Sequence, residues 1–540
     1  MKKLFAAVVV VSLVSLGVVT MYGDNLKSMH GMSADALAGD TQVEKRASKG
    51  QGKLEKKKMY DFAAQNTGYG GDDPPAKMTT EARYAPAPNS TTRTALDALS
   101  TFGIDVDTAS YTWARRALLT EDSLPATDGV RVEEWVNAFD YALTPPSTKP
   151  FAVSVEGAIS PFDEARTLVK VALKGHVVSD SDRQPAHLVF LVDVSGSMAP
   201  EDRLPLAKRA LTVLTRQLDE RDTISLVTYA GSTQVVLEPT NATQQAKILE
   251  AIDRLGAGGG TAMGSGMELA YKLAVRQVRK NTSTRVIVLT DGDTNIGPNL
   301  STDAMLTSIH KYVQDGVTMT TVGFGMGTSY RGNALEQLAD KGNGQALYID
   351  GEAAIEREFH QKLTGALQVI AKDVKVQVHF DPTVVSSYRL IGYENRDIKD
   401  ADFRNDSVDS GELGSGHAVT ALYEVTLTSK PGVLGSVAVR GQLPGSGEVF
   451  EIEESIPRAA VAHALPDMSA DYRFATAVAL GADTLRGNVA GAWSLSAIAT
   501  LAEEASNGNR ERMEFVAMVR KADAIKSGRV ARAVYSNAGY

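Results

Sequence analysis

The stretch HLVFLVDVSGSM, residues 187–198, decides the fold of this 540-residue chain. Its first part is a continuous apolar run, which is typical of a strand buried on both faces of a sheet. A helix follows, because apolar residues recur on one helical stripe at Leu206, Ala210, Leu211 and Leu214. A buried strand that leads directly into an amphipathic helix predicts a layer in which helices cover a parallel sheet.

The same alternation continues toward the C-terminus. Four further stretches are strand-like: TISLVTYA, RVIVLTD, VTMTTVGFG and QALYID. TQVVLE is a candidate edge strand. Helical patterns lie between them, and we predict helices around 243–255, 264–279, 302–314, 333–340 and 352–370. The repeated strand–helix order predicts a doubly wound, Rossmann-like α/β domain over residues 185–371.

Strand-like segments of another kind flank this domain. Within residues 151–180, apolar and polar residues alternate in strand fashion in FAVSVEGAIS and TLVKVALKG. Five more strand-like stretches follow within residues 372–460: DVKVQVHF, SYRLIGY, AVTALYEVTL, GSVAVRG and EVFEIEESI. The early strands are too few to close a core alone, so we expect them to pair with the later ones. The α/β domain would then be inserted in, or flanked by, an antiparallel β-sandwich.

The remaining segments are shorter. A short strand and two helical patterns, TWARRALLTEDSLP and VRVEEWVNAFDY, predict a small α/β module over 96–150, and a helical segment is predicted over 468–527. Residues 24–95 are polar and contain prolines, which is typical of a flexible linker. We interpret the D-x-D pair of Asp105 and Asp107 as a strand end and a helix cap rather than a cation site.

The first residues read MKKLFAAVVVVSLVSLGVVTMYG. Two lysines precede an uncharged stretch, which predicts a signal peptide or signal anchor over residues 1–23, with residues 4–22 long enough to span an inner membrane. We therefore expect an exported protein that is periplasmic, anchored in the cell envelope or secreted. The chain has no cysteine, which excludes disulfides and a lipid-bearing cysteine. Its net charge of −9 gives no reason to expect nucleic-acid binding.

Five oxygen-bearing residues lie where apolar runs end or in a glycine-rich loop. Asp193, Ser195 and Ser197 belong to DVSGS, Thr261 belongs to GGGTAMGSG, and Asp291 belongs to LTDGD. Ligands of an open α/β sheet bind beyond the carboxyl ends of its strands, so we expect these loops to converge. Oxygen ligands suit Mg²⁺, with Mn²⁺ and Ca²⁺ as alternatives. The competing interpretation is a set of helix caps and turn residues.

The ligand set also predicts what the ion would do. Only Asp193 and Asp291 carry charge, so the ion would remain electrophilic and would accept one more carboxylate, from an Asp or Glu of a protein partner. No general base or nucleophile lies beside the ligands in the sequence, and GMGSGME follows no strand, as a hydrolase elbow would require. We therefore predict a binding protein rather than an enzyme.

Residues 187–370 resemble a von Willebrand factor type A domain. DVSGS, the threonine of GGGTAMGSG and the aspartate of TDGD match the metal-ion-dependent adhesion site of that family. The resemblance implies that these five positions hold the ion directly or through water. STFGIDVDTASY, VRVEEWVNAFDY and FATAVALGADTLRG are similar to flanking segments of the bacterial YfbK-like envelope proteins, so that the resemblance spans roughly residues 96–527.

Two functional hypotheses follow. The first is an adhesion-type protein of the cell envelope that captures a partner's acidic residue through the ion. The alternative is a scaffold or chaperone-like factor for the assembly of envelope complexes, in which the metal is secondary and the β-sandwich and helical tail matter more.

Overall fold

The small N-terminal module contains two short strands and two helices. The computed structural model describes residues 87–160, 163–179, 181–292, 311–325, 332–363, 365, 367–461, 463–488 and 494–529. The elements of this module are β1 (Thr92–Arg93), β2 (Leu99–Gly103), α1 (Ala109–Leu119) and α2 (Val132–Val136). The first two strands of the flanking sheets follow, β3 (Phe151–Ile159) and β4 (Thr167–Gly175). The predicted leader over 1–23 lies outside the described residues.

Two boundaries of this module differ from the prediction. β1 falls inside the predicted linker 24–95, because Thr92 pairs with Tyr388 of a later strand. The rest of that linker up to residue 86 lies outside the described residues. α2 ends at Val136, although the helical pattern continues. The next side chain, Asn137, donates a hydrogen bond to the Asp105 carbonyl at 3.0 Å, so a tertiary contact takes over where the helix ends.

A six-stranded sheet forms the centre of the α/β domain. Its strands are β5 (Ala186–Asp193), β6 (Thr223–Tyr229), β7 (Thr233–Asn241), β8 (Ser283–Thr290), β9 (Val317–Phe324) and β10 (Ala346–Ile349). The spatial order is β10-β9-β8-β5-β6-β7, and every neighbouring pair is parallel except β6 with β7. The predicted mostly parallel sheet is therefore confirmed, and its antiparallel edge strand is the TQVVLE segment.

Helices cover both faces of this sheet. They are α3 (Leu204–Thr215), α4 (Gln245–Asp253), α5 (Met263–Val275), α6 (Gly332–Lys341) and α7 (Glu352–Ala354), which continues as a π-helix over Ile355–Leu363. Helices α3, α4 and α7 pack on one face, whereas α5 and α6 pack on the other. The predicted helix 352–370 was too long, because Val369 already pairs with Gly414 in a strand. The predicted helix 302–314 falls mostly outside the described residues.

The flanking strands form two antiparallel sheets. The later strands are β11 (Val369–Phe380), β12 (Val385–Ile391), β13 (Gly411–Gly414), β14 (Ala418–Leu427), β15 (Gly435–Gln442) and β16 (Val449–Ile456). One sheet has the order β1-β12-β14-β4-β3, and the other has the order β13-β11-β15-β16 with β2 beside β11. β4 pairs antiparallel with β14 from Thr167 opposite Val425 to Lys174 opposite Ala418. The expected pairing of early with late strands is confirmed.

The two ends of the α/β domain lie side by side, as an insertion requires. The Gln184 backbone N–H donates to Gln368 Oε1 at 2.7 Å, so the chain enters and leaves the domain at one place. Apolar side chains from both flanking sheets fill the space between them. They include Phe102, Phe151, Val171, Val376, Tyr423 and Val437.

The C-terminal segment packs as three helices, α8 (Ala470–Arg486), α9 (Leu495–Glu504) and α10 (Arg510–Lys526). Their apolar residues belong to the same core as α1, α2, α5 and α6, with Phe139, Phe474 and Phe515 in mutual edge-to-face contact at centroid distances of 5.0 to 5.9 Å. This continuous core joins the C-terminal helices to the α/β domain. Among the described residues, every helix is too short or too polar to traverse a bilayer.

Candidate metal centre

The first predicted ligand, Asp193, is the last residue of β5 and is fully buried. Its Oδ1 accepts a hydrogen bond from the Ser195 backbone N–H at 2.9 Å, and its Oδ2 accepts one from Thr290 Oγ1 at 3.1 Å. Burial raises the pKa of Asp193, and the bonds from Ser195 and Thr290 act in the opposite direction. The carboxylate is therefore held in one orientation, and a cation beside it would offset the cost of its burial.

The two serine hydroxyls of DVSGS come together on one turn of 3₁₀-helix over Gly196–Met198. Ser195 Oγ and Ser197 Oγ lie 2.9 Å apart. Ser195 is buried and Ser197 is half-buried, whereas Gly196 between them is exposed. The turn thus directs two neutral oxygen donors to the same place beside Asp193.

The glycine-rich loop docks on this turn through its backbone. Gly196 N–H donates to the Gly259 carbonyl at 3.1 Å, and Gly258 N–H donates to the Val194 carbonyl at 2.7 Å. Thr261 follows two residues after Gly259, is half-buried, and immediately precedes Ala262, the N-cap of α5. In the described part of the chain, these two backbone hydrogen bonds hold the loop that carries Thr261 against DVSGS.

Asp291 follows the end of β8 and meets a cation from the protein itself. Its Oδ2 accepts a hydrogen bond from Arg203 Nη1 at 2.5 Å, and the same nitrogen donates to the Ser197 carbonyl at 2.6 Å. Asp291 therefore lies next to the DVSGS turn, as expected from the sheet topology. The structure brings four of the five predicted residues around one point, with the Thr261 loop packed against it.

Three neighbours of the site were missed in the sequence. Thr290 binds Asp193, and Tyr229 lies beside it; burial raises the pKa of Tyr229, and the Asp193 carboxylate acts in the same direction. Both are the last residues of their strands, β8 and β6, so the strand-end rule that selected Asp193 could have found them. Arg203 at the N-terminus of α3 carried no such signal.

The donor set fits a hard divalent cation. Two buried carboxylates and two adjacent hydroxyls converge, and all of them are oxygen donors of the kind that Mg²⁺ prefers. The described part of the chain contains no group of three or more His, Cys, Asp or Glu side chains arranged to hold a metal. The donor set of the hydroxyl-rich cluster at the carboxyl ends of β5 and β8 makes it the candidate metal centre, and the ligand roles of its residues remain predictions.

The D-x-D pair has a structural role other than the one we predicted. Thr108, the N-cap of α1, makes no capping bond with its side chain, and neither aspartate caps that helix. Asp105 Oδ2 instead binds Arg396 Nε at 3.0 Å, and Asp107 Oδ1 accepts from the Ala346 backbone N–H at 2.9 Å. The cap interpretation was wrong. Both carboxylates are buried where the N-terminal module meets the sandwich, through Arg396, and the α/β domain, through Ala346.

Sequence models of known families match most of the chain. The von Willebrand factor type A domain matches residues 187–361, and the C-terminal region of YfbK matches 365–435 and 429–525. A third model, described as von Willebrand factor, matches residues 78–170. The α/β domain and its flanks are thus matched separately.

Curated relatives agree with these matches. The protein YfbK of Escherichia coli K12 is 34% identical over 463 residues, which cover 81% of this chain and 80% of that protein. The protein sll0103 of Synechocystis is 25% identical over 55% of this chain and 71% of its own length. The 60 kDa subunit of magnesium chelatase from Rhodobacter capsulatus is 34% identical over 25% of this chain and 24% of that subunit.

Among solved structures, a von Willebrand factor type A protein from Catenulispora acidiphila aligns with 71% of this chain and 91% of its own, at 20% identity and a TM-score of 0.42. The assignment itself rests on the sequence matches, which extend through the inserted domain and the flanking segments alike. The chain belongs to the YfbK family of bacterial proteins that contain a von Willebrand factor type A domain.

Proposed function

We propose that this protein captures an acidic side chain of a partner protein through a divalent cation held by Asp193, Ser195, Ser197, Thr261 and Asp291. The von Willebrand factor type A domain supports protein–protein interaction or adhesion as the general role. The observation that carries the finer proposal is the pairing of the Ser195 and Ser197 hydroxyls, 2.9 Å apart, beside a buried Asp193. A cation held mainly by neutral donors keeps its affinity for one more carboxylate.

The exposed side of the site suits a protein partner. Residues 256–260 are exposed, and so is Gly196. A Cβ added at Gly256, Gly258 or Gly260 would meet no atom within 4 Å. The rim beside the buried carboxylates is therefore bare backbone, which another chain can approach closely.

The site is better suited to binding than to hydrolysis. Both oxygens of Asp193 accept hydrogen bonds from Ser195 and Thr290, and Asp291 Oδ2 accepts one from Arg203. As ligands of the ion, the two carboxylates would not be available to take a proton from an attacking water, which a general base must do. We therefore propose a non-enzymatic role, which a screen of phosphoester and peptide substrates with and without Mg²⁺ would test.

An envelope location is part of the proposal. Its support is the leader pattern over residues 1–23, in which two lysines precede an uncharged stretch. In the cell envelope the protein would meet its partners outside the cytoplasm. Fractionation of cells and N-terminal sequencing of the mature protein test the location and show whether residues 4–22 stay attached as an anchor.

The test of partner capture uses the immobilised full chain and a solubilised envelope extract. Capture should require Mg²⁺, disappear with EDTA and return when excess Mg²⁺ is added. Asp193→Ala should abolish it. Amidation of carboxyl groups in the extract with a carbodiimide, before it meets the protein, should also abolish capture, because the partner's acidic side chain would no longer bind the ion.

A steric variant separates the docking surface from the ion. Gly258→Trp adds bulk where nothing packs, so it should leave folding and Mg²⁺ binding intact and prevent capture. Capture that is equally strong with EDTA and in Asp193→Ala would remove the metal from the mechanism. A deletion of residues 373–527 that harms complex formation while Asp291→Ala does not would favour the scaffold hypothesis.

A further inference from the structure

The Arg203 side chain connects three loops around the candidate metal centre. Its Nη1 donates to Asp291 Oδ2 at 2.5 Å and to the Ser197 carbonyl at 2.6 Å. Its Nη2 reaches the Gly325 carbonyl at 3.5 Å, at the end of β9. One guanidinium therefore contacts the DVSGS turn, the Asp291 loop and the end of a third strand.

The path of this side chain depends on a glycine. Gly325 has a φ of +58°, and a Cβ at this position would overlap Arg203 Cγ and lie 2.7 Å from Arg203 Nε. The space that a side chain would fill is thus occupied by the arginine. The conformation places a fixed positive charge against Asp291 rather than out in solvent.

The contact is strong but displaceable. The Asp291 side chain is only 2% exposed, whereas the Arg203 side chain is 28% exposed. Among the described residues, Arg203 Nε has no hydrogen-bond partner, so the guanidinium is not fully satisfied in this position. A partly exposed arginine can move into water at little cost, whereas the buried Asp291 carboxylate needs a positive neighbour.

A divalent cation and Arg203 compete for the same carboxylate. The two aspartates supply two negative charges, and one of them already faces the guanidinium. A divalent ion at the predicted position would lie close to this positive charge in a partly desolvated site, where like charges repel strongly. Binding of the ion must therefore either displace Arg203 from Asp291 or tolerate this repulsion.

We propose that Arg203 is a resident cation of the metal centre, which holds Asp291 when no divalent ion is bound and lowers the affinity of the site for that ion. This inference rests on the proposed function, because it concerns the regulation of the same site. Since Arg203 also contacts the Ser197 and Gly325 carbonyls, its displacement would couple ion binding to the end of β9.

The test compares Mg²⁺ affinity among variants of the full chain by titration calorimetry. Arg203→Gln removes the charge and should bind Mg²⁺ roughly tenfold more tightly than the wild type. Arg203→Lys keeps the charge but loses the planar fork that spans the loops, so its affinity should rise less. Arg209→Gln is the matched control, since it removes a charge from the same helix, where Arg209 pairs with Glu352, and should not change the affinity.

A second measurement does not depend on loading the site. Without divalent ions, Arg203→Gln should melt at a lower temperature than the wild type because Asp291 has lost its positive neighbour. Added Mg²⁺ should raise the melting temperature of Arg203→Gln more than that of the wild type. If Arg203→Gln does not fold, Arg203→Lys carries the comparison, and its predicted gain in affinity must still appear.

The outcomes separate this inference from the proposed function. Mg²⁺ binding by the wild type with equal or weaker binding by Arg203→Gln would overturn the inference and leave the metal centre in place. Binding by Arg203→Gln alone would support the inference in its strongest form. Absence of Mg²⁺ binding in both proteins, with both folded, would contradict the inference and the proposed function together.

Discussion

Individual carboxyl groups in the interior of this protein experience unusual surroundings. Glu336 on α6 accepts hydrogen bonds from Arg131 Nη2 at 3.2 Å and Asn395 Nδ2 at 2.9 Å. Burial raises the pKa of Glu336 to about 7; the charges of Asp340 and Asp105 also raise it, and those of Arg131 and Arg396 lower it. Because burial favours the neutral form of this carboxyl in the folded state, the protonation of Glu336 makes the stability of the protein depend on pH.

The expected pH dependence follows from proton binding. Between the ordinary pKa of 4.5 and the raised value of about 7, the folded state binds more protons at Glu336 than the unfolded state does. The contribution of Glu336 to the free energy of unfolding is therefore complete below pH 4.5 and is lost as pH rises through 7. Glu336→Gln should reduce the loss of stability between pH 5 and pH 8 by about 1–3 kcal/mol, as measured by urea unfolding at each pH.

The control for this prediction is Glu268→Gln, which removes an exposed carboxyl that pairs with Lys272 one turn along α5. It makes the same change of charge outside the core, so the pH dependence should match that of the wild type. An unchanged slope in Glu336→Gln would show that another group causes the pH effect.

Among the helices, α10 has a well-formed N-terminus. The Asn509 side chain accepts hydrogen bonds from the Glu511 N–H at 2.9 Å and the Arg512 N–H at 3.1 Å. These are two of the four N–H groups that a helix leaves without partners at its start. Asn509→Ala should lower the free energy of unfolding by about 1 kcal/mol.

Gln244→Ala, at the N-cap of another helix, is the control for Asn509→Ala. Gln244 occupies the N-cap position of α4, but its side chain makes no capping bond, so truncation should have almost no effect. Both variants are measured by urea unfolding of the same chain. Equal effects in the two variants would mean that the capping bonds of Asn509 contribute nothing to stability.

Whether an element could be predicted depended on the length of its pattern. The buried strands of the α/β sheet followed from apolar runs such as that of β5, and the flanking strands β4 and β14, which pair, followed from alternation of apolar and polar residues along nine and ten residues. β1 has only two residues and no periodicity, so pairing with Tyr388 defines it. The end of α2 depends on Asn137, whose tertiary partners no local pattern shows.

The predicted ligands of the candidate site could be grouped from the sequence, but their neighbour Arg203 could not be found there. DVSGS and Asp291 end strands, and glycines mark the Thr261 loop, so topology was enough to group them. Arg203 could not be found in this way, because its approach to Asp291 depends on the absence of a side chain at Gly325. Close packing of that kind is a property of the folded chain rather than of any local motif.

At the scale of the whole molecule, Arg396 connects three parts of the structure. From the segment after β12 in the sandwich it contacts Asp105 at 3.0 Å and Asp107 at 3.5 Å in the N-terminal module, and Asp340 at 2.9 Å on α6 of the inserted domain. Burial raises the pKa of Asp107 and of Asp340, and the Arg396 charge lowers both. One guanidinium therefore stabilises two buried carboxylates, Asp105 and Asp107, together with the half-buried carboxylate of Asp340.

Arg396→Met should accordingly destabilise the protein by roughly 3–5 kcal/mol, because it leaves buried charges without a partner. Calorimetry should show one cooperative transition for the wild type, and a lower, broader or divided transition for the variant. Arg404→Met removes an exposed arginine nearby, which pairs with Glu451, and should change the transition little. A wild-type-like transition in Arg396→Met would show that the parts are joined by apolar packing alone.

Whether the DVSGS turn, the Thr261 loop and Asp291 hold a divalent ion is measured by the equilibrium binding of Mn²⁺ to the full chain, followed by electron paramagnetic resonance of the free ion. The wild type should bind Mn²⁺ at one site, from which excess Mg²⁺ displaces it, and both Asp193→Ala and Asp291→Ala should lose that site while keeping the fold. Mn²⁺ binding that is unchanged in both variants, or no binding by the folded wild type, would contradict the proposed metal centre.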